Sequence, residues 1–233
     1  MHERAQYSDD RSGPVLAMLK ANPLALVVTP GELAPSGTHA PVLFRHGPDG
    51  ADEEAVAAGS TLVGSTLVGH MNVRNAQWTA MREGDRALVV FQGPNGYVSP
   101  TVYGVTPAAP TWDFTAVHIV GTLHPIADPA EVLEIVRETA RRLEAGFGQG
   151  WDQESSVEYF RKIAPGVGGF ELQVESVQTM FKLSQEKPEP IRRKIVEDFE
   201  DFEGSESGTH RSLAALMRSR GIVSLDDEPG VLG

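Results

Sequence analysis

The sequence predicts a mainly antiparallel β fold with peripheral helices, an α+β class, on three observations. Apolar, partly β-branched runs at 24–29, 40–45, 86–92 and 113–123 are separated by Gly/Pro-rich connections. Clear helical patterns gather near the N-terminus and after residue 128. The regular alternation of strand and helix that a parallel sheet needs is missing. Six or seven strands joined by hairpin-like turns then imply a compact antiparallel barrel.

Composition sets the outer limits. A chain of 233 residues, 40% hydrophobic and 22% charged, is long enough for one large or two small packed domains. Its longest apolar runs, 24–28 and 88–91, are far below the roughly 20 residues of a membrane span, so no membrane partner is expected. Residues 1–10 contain no apolar signal-peptide centre, and a cytoplasmic location is expected. With no cysteine, disulfides, iron–sulfur clusters and thiolate-ligated haem are excluded, and any metal ligand must be His, Met, Tyr or a carboxylate. A formal charge of -12 and a pI near 5.0 argue against a nucleic-acid partner, whose phosphates call for clustered Lys and Arg.

In order along the chain, Ser12-Gly13-Pro14 starts a short helix, with Pro14 at the first helical position, and Asn22-Pro23 stops it. The runs at 24–29 and 40–45 form a hairpin with a long loop, with His39 at the entrance to the second strand. Residues 47–58, acidic and Gly-containing, read as a surface loop. Gly-Ser-Thr-Leu-Val then occurs twice, at 59–63 and 64–68, and reads as one strand or a strand with its lead-in. Strand parity puts His70 on the face of Leu62 and Val68, which is expected to point inward.

Residues 75–82 form a short helix or turn, and 86–92 a central strand. Gly93-Pro94-Asn95-Gly96 is expected to turn, sending 97–103 back antiparallel. The strand at 113–123 sets Phe114, Ala116, His118 and Val120 on one side, with Val117, Ile119 and Leu123 on the other. Asp128-Pro129-Ala130-Glu131 is a capping box for a helix reaching Gly146. A second helix covers 156–163 with Val157, Phe160 and Ile163 inward; the last strand is 169–183, and charged helices cover 190–202 and 209–220.

The candidate chemistry is polar residues at strand ends. His39, His70 and His118 lie on or beside strands; each is either a ligand for haem iron or a core imidazole bonded to backbone. Arg74, Asn75, Gln77 and Trp78 suit an anionic cofactor group, through a guanidinium fork and a stacking face, or equally a surface helix start with a packed Trp. Asp113 either answers a substrate ammonium or caps a turn; Lys182 either meets a cofactor anion or is solvated. Gly-x-Gly-x-x-Gly, Walker, Gly-x-Ser-x-Gly and His-Glu-x-x-His motifs are absent.

Asn22-Pro23-Leu24-Ala25, Thr38-His39-Ala40-Pro41, Gly69-His70, Asn75-Ala76-Gln77-Trp78, the run 93–100, the run 110–118 and Phe181-Lys182-Leu183-Ser184-Gln185 together resemble the PaiB-type family of FMN-binding split-barrel proteins. The resemblance covers nearly the whole chain. It implies a split-barrel domain over 1–185, a C-terminal helical extension over 186–233 packing on it, and a homodimer with its cofactor site at the subunit interface. The family name implies a flavin-binding negative transcriptional regulator, with FMN as cofactor.

The chain departs from the family at Met71-Asn72-Val73-Arg74-Asn75-Ala76, at Ser99-Pro100-Thr101-Val102-Tyr103 and at Pro110-Thr111-Trp112-Asp113-Phe114. In these it looks like the branch recruited to natural-product pathways, the haem-dependent piperazate synthases, which close N5-hydroxy-L-ornithine into L-piperazic acid. That likeness implies haem b, a small amino-acid substrate, and His70 as the metal ligand with His39 second. Arg74, Asn75, Trp78 and Lys182 would hold the cofactor, and Thr111 and Asp113 would contact substrate.

Overall fold

The chain, seen in a computed structural model that describes residues 5–9, 11–59, 61–205 and 207–223, begins with α1 (Ser12–Ala21). Val15, Leu16 and Leu19 bury one face of this helix, and Asn22 ends it by donating from Nδ2 to the Met18 carbonyl at 2.9 Å. Strand β1 (Leu24–Thr29) pairs with β2 (Ser36–His46) in a continuous antiparallel register from Leu24↔Pro41 to Thr29↔Ser36. The second strand therefore starts earlier than its apolar run, and His39 stands inside it, opposite Leu26.

The expected loop at 47–58 instead holds a 3-10 turn and helix α2 (Glu53–Ala58). Asp52 caps it by accepting from the Ala55 amide at 2.8 Å, Glu53 and Glu54 suit the positive end, and Val56 is buried. A single apolar anchor is too little for periodicity to reveal. Of the duplicated pentapeptides only the second enters a strand, β3 (Thr66–Asn72), while Gly64 turns at φ +86. Leu62 and Leu67, equivalent in the two copies, are both buried in the same core.

Helix α3 (Ala76–Ala80) leads to β4 (Arg86–Val98), one strand of 13 residues. The expected turn at Gly93-Pro94-Asn95-Gly96 is thus corrected: neither glycine takes a positive φ. Gly96 is there for close approach, since a Cβ would lie 2.6 Å from the His210 ring. After α4 (Pro100–Tyr103), β5 (Thr111–Ile126) and β6 (Val167–Lys182) flank α5 (Pro129–Phe147) and α6 (Val157–Ile163). Asp128 caps α5, accepting from the Ala130 and Glu131 amides. No residue of α6 is fully buried, but Val157 and Phe160 are half-buried on the expected face, Phe160 meeting the edge of Trp151, while Ile163 is exposed. Helices α7 (Glu189–Asp201) and α8 (Ser207–Ser219) are the last elements among the described residues, with Gly221 in the left-handed region after α8.

The six strands close into an antiparallel barrel in the order β1-β2-β3-β6-β5-β4. Inside it pack Val27, Phe44, Leu67, Phe91, Val117, Ile119, Leu123 and Phe170, each of the larger side chains contributing about 1.5–3 kcal/mol by burial. This confirms the face expected for Val117, Ile119 and Leu123. For β3 the expected face is reversed: Leu67 and Met71 point into the barrel, while Val68 belongs with Leu43, Ile126, Val132 and Ile135 in the layer beneath α5. His70, of the same parity as Val68, is on that outer face. Both faces of β3 are apolar because a helix covers the outer one, so alternation alone does not identify the interior.

Residues divide into two compact units. One comprises Asp10–Gln92 and Val117–Gln178; the other comprises the segment ending at Asp9, Gly93–Ala116, and the chain from Thr179 onward. The second unit has its own core, in which Val98, Tyr103, Phe181 and Leu183 pack with Ile195, Phe199, Leu213 and Met217. His210 is buried there and stacked on Phe199 at 5.1 Å. None of the described helices is long and apolar enough to cross a membrane.

Candidate functional site

In the first unit, the outer faces of β2 and β3 wall a cavity of about 460 Å³ lined by Thr38, His39, Ala40, Pro41, His70, Met71, Asn72, Asn75, Gly166 and Val167. The register explains the meeting of the two imidazoles. Val42 pairs with Gly69, so one step along the ladder Pro41 comes beside His70, and His39 lies diagonally across. On the other side His70 pairs with Gly169, where a Cβ would sit 2.8 Å from the Ile135 tip of α5. The missing side chain lets the helix press close beside the imidazole.

His70 is half-buried, and burial lowers its pKa below the ordinary 6.5, so the ring is neutral at pH 7. Its Nδ1 is buried without a hydrogen-bond partner among the described residues. A neutral imidazole has the lone pair that a metal ligand needs. His39 is exposed on the same wall.

Asn75 connects the cavity to its scaffold. Its Oδ1 accepts from the Gln77 amide at 2.9 Å, capping α3, and its Nδ2 donates to Thr38 Oγ1 at 2.9 Å. The other members of the expected clamp diverge. Arg74 is exposed, with its backbone amide tied to Asn72 Oδ1. Gln77, 1% exposed, spends its side-chain amide on the Val27 carbonyl and Thr29 Oγ1, both at 3.0 Å. Trp78 lays its indole against Gly168, where a Cβ would lie 2.2 Å from the ring.

The second unit holds Thr111, Asp113 and Lys182 together. Asp113 is 0% exposed; its Oδ2 accepts from Ser184 Oγ at 2.7 Å, and its Oδ1 has no hydrogen-bond partner among the described residues. Lys182 Nζ is 3.9 Å from that Oδ1 and donates to Thr111 Oγ1 and to the Trp112 carbonyl. Burial pushes Asp113 up to about 6, against the lowering effects of Ser184 and Lys182. Tyr103 Oη is also buried without a partner among the described residues, and burial, followed by the charge of Asp113, raises its pKa. Ser184 sits at φ +54, uncommon for a non-glycine residue. Sequence reasoning missed Ser184 and Tyr103 as members of this cluster. Ser184 lies in a noticed motif, but its partner is 71 residues away, and no local spacing links them.

His118 is half-buried on the outer face of β5, where burial lowers its pKa, and it does not line the His39–His70 cavity. Among the described residues no group of three or more His, Asp or Glu side chains could hold a bare metal ion.

Residues 1–176 match the family described as "Putative FMN-binding domain". The chain belongs to that family. A relative in it, the protease synthase and sporulation protein PAI 2 of Bacillus subtilis, is 27% identical over 204 residues, covering 87% of this chain and 89% of its own. An uncharacterized protein of Emericella nidulans is 25% identical over 252 residues, with 95% and 98% covered. Among solved structures, a conserved hypothetical protein of Mycobacterium tuberculosis superposes with a TM-score of 0.52 at 10% identity, covering 81% of this chain and 94% of that one. The flavocytochrome Anf3 of Azotobacter vinelandii gives 0.50 at 16%, covering 77% and 71%. At those identities the structural likeness speaks to the fold.

Proposed function

We propose that this family member is a haem-dependent cyclase that closes N5-hydroxy-L-ornithine into L-piperazic acid by forming an N–N bond. The observation that carries the reading is His70: a neutral, half-buried imidazole with an uncommitted Nδ1, in an apolar-walled cavity shared with His39. The donor set fits a haem better than a flavin phosphate. Among the described residues no Lys or Arg lines the cavity, whereas two imidazoles do. In this reading His70 would hold the iron, Asn75 keeps the Thr38 wall in place, and exposed Arg74, next in sequence to Asn75, would answer a propionate.

A haem held by His70 would supply Lewis-acid chemistry toward a hydroxylamine oxygen, the chemistry that a redox-neutral N–N closure with loss of water calls for. Pro41 and Val167 give the cavity an apolar side next to the imidazoles. Thr111, Asp113 and Lys182 form a separate cluster in the other unit, and the reading stands on the His70 cavity without them. A homodimer acting on a small amino acid, without DNA, completes the proposal.

The test is to supply purified protein with haem and then with N5-hydroxy-L-ornithine. A Soret band and formation of the cyclic hydrazine are expected in the wild type, and both are lost in His70→Ala with the fold intact by circular dichroism. A yellow protein that releases FMN, shows no Soret band and shifts an operator at nanomolar concentration would replace this reading with a flavin-binding regulator; the family description itself names FMN.

A further inference from the structure

A second cavity in the first unit shares no lining residue with the His39–His70 site. It has a volume of about 440 Å³ and lies among α1, β2, α2 and the last turns of α5. That is within the size of a small-molecule pocket. Leu16, Leu19, Pro23, Leu43 and Leu143 form an aliphatic floor, and Phe147 stands at its edge, 61% exposed at the end of α5. An exposed aromatic ring beside an aliphatic recess is the kind of surface that water covers poorly.

The charged rim decides the ligand class. Lys20, Arg141 and Arg142 are cations; Glu53 and Glu138 answer them. Lys20 meets Glu53 at 2.5 Å, and both Arg141 and Arg142 donate to Glu138, at 2.7 Å and 2.5 Å. Arg142 Nη1 also donates to the Phe44 carbonyl at 2.5 Å, which fixes its guanidinium as part of the wall. Three cations face two carboxylates, leaving one positive charge in surplus. The C-terminal ends of α1 and α5 both open on the cavity, each worth roughly half a negative charge, and together they offset that surplus. The N-terminus of α2 is answered by its own cap, Asp52. A charged headgroup thus finds no uncompensated opposite charge here, and would lose its hydration for little return.

We propose that this cavity binds an uncharged, medium-length aliphatic molecule, held by burial of its chain on the leucine floor. Specificity comes from the balanced rim, which disfavours both anions and cations of the same length.

Calorimetric titration with 1-decanol, decanoate and decylamine, each below its aggregation concentration, tests this. Saturable one-to-one binding of 1-decanol is expected, with both charged analogues weaker by about tenfold or more. Ala145→Trp, at an exposed lining position of α5, fills the mouth without touching the buried floor and should abolish 1-decanol binding while leaving the melting temperature and the haem Soret band unchanged. Leu143→Ala, which trims the leucine floor while leaving the mouth open, should weaken 1-decanol binding several-fold without abolishing it; unchanged affinity in this variant would also overturn the proposal. Equal binding of the three probes, absence of saturation, or unaltered 1-decanol binding in a folded Ala145→Trp protein would each overturn the proposal.

Discussion

The His39–His70 cavity and the Asp113–Lys182 cluster are built from the same kinds of polar residue at strand ends, yet they have opposite relations to water. His70 is half-buried beside an exposed His39 around an open volume, and burial keeps its imidazole neutral without stranding a charge. Asp113 is sealed, with one oxygen held by Ser184 and the other without a hydrogen bond among the described residues. Desolvation acts on both, but on a base it favours the form that binds metals, whereas on an acid it favours the form that binds a proton. The first arrangement suits a ligand; the second makes folding sensitive to pH.

The sharpest way to break that contrast is to exchange the readouts. His70→Ala should abolish the haem Soret band and leave stability nearly unchanged, whereas Asp113→Asn should leave the band in place; a Soret band that survives the first change and vanishes in the second would invert the assignment.

Next in size is a pH effect. In the folded chain Asp113 keeps its proton up to about pH 6, against an ordinary value of 3.8. The resulting stabilisation is complete below the ordinary value and is lost as pH rises through about 6, an effect on the order of 3 kcal/mol. Urea midpoints should therefore fall between about pH 4 and pH 6 in the wild type and level off above, and Asp113→Asn should flatten that fall.

Ser184→Ala removes the remaining hydrogen bond to the buried carboxylate and should destabilise by about 2 kcal/mol. The loss should be larger at pH 8 than at pH 5, where the carboxyl is protonated; equal losses at both would show that the charge is solvated. Smallest is Asn75→Ala, which deletes the α3 cap and the Thr38 contact. It should cost about 1 kcal/mol in chemical denaturation and weaken haem binding modestly, because it loosens the cavity wall and spares the ligand.

The barrel was legible where one face of a strand is plainly apolar, as in Val117, Ile119 and Leu123, and where a cap has its own signature, as at Asp128. It was hidden where a residue type has two uses. Glycine supplies turns and close approaches alike, so Gly96, pressed by His210, passed for half of a hairpin turn. On β3 a helix makes both faces apolar, and the inward and outward sets were interchanged. The imidazole pair was named from sequence, since each His lies near a strand end, but its meeting depends on the β2–β3 register. The Ser184–Asp113 bond spans 71 residues and left no trace in local pattern.

The repeated pentapeptide gives His70 a second role. Sliding the chain by five residues would set Thr61-Leu62-Val63-Gly64 where Thr66-Leu67-Val68-Gly69 now pair, with every one of those side chains reproduced. The difference would fall on the next two positions of the strand: Ser65 would stand opposite Gly169 in place of His70, and Thr66 opposite Gly168 in place of Met71. Because the repeated residues are indifferent between the two alignments, the choice falls to the residues just past them, chiefly Met71 in the core. The strand thus checks its own alignment at the edge of the cavity, and a mispaired chain would lose the Met71 packing and have no imidazole from β3 to offer.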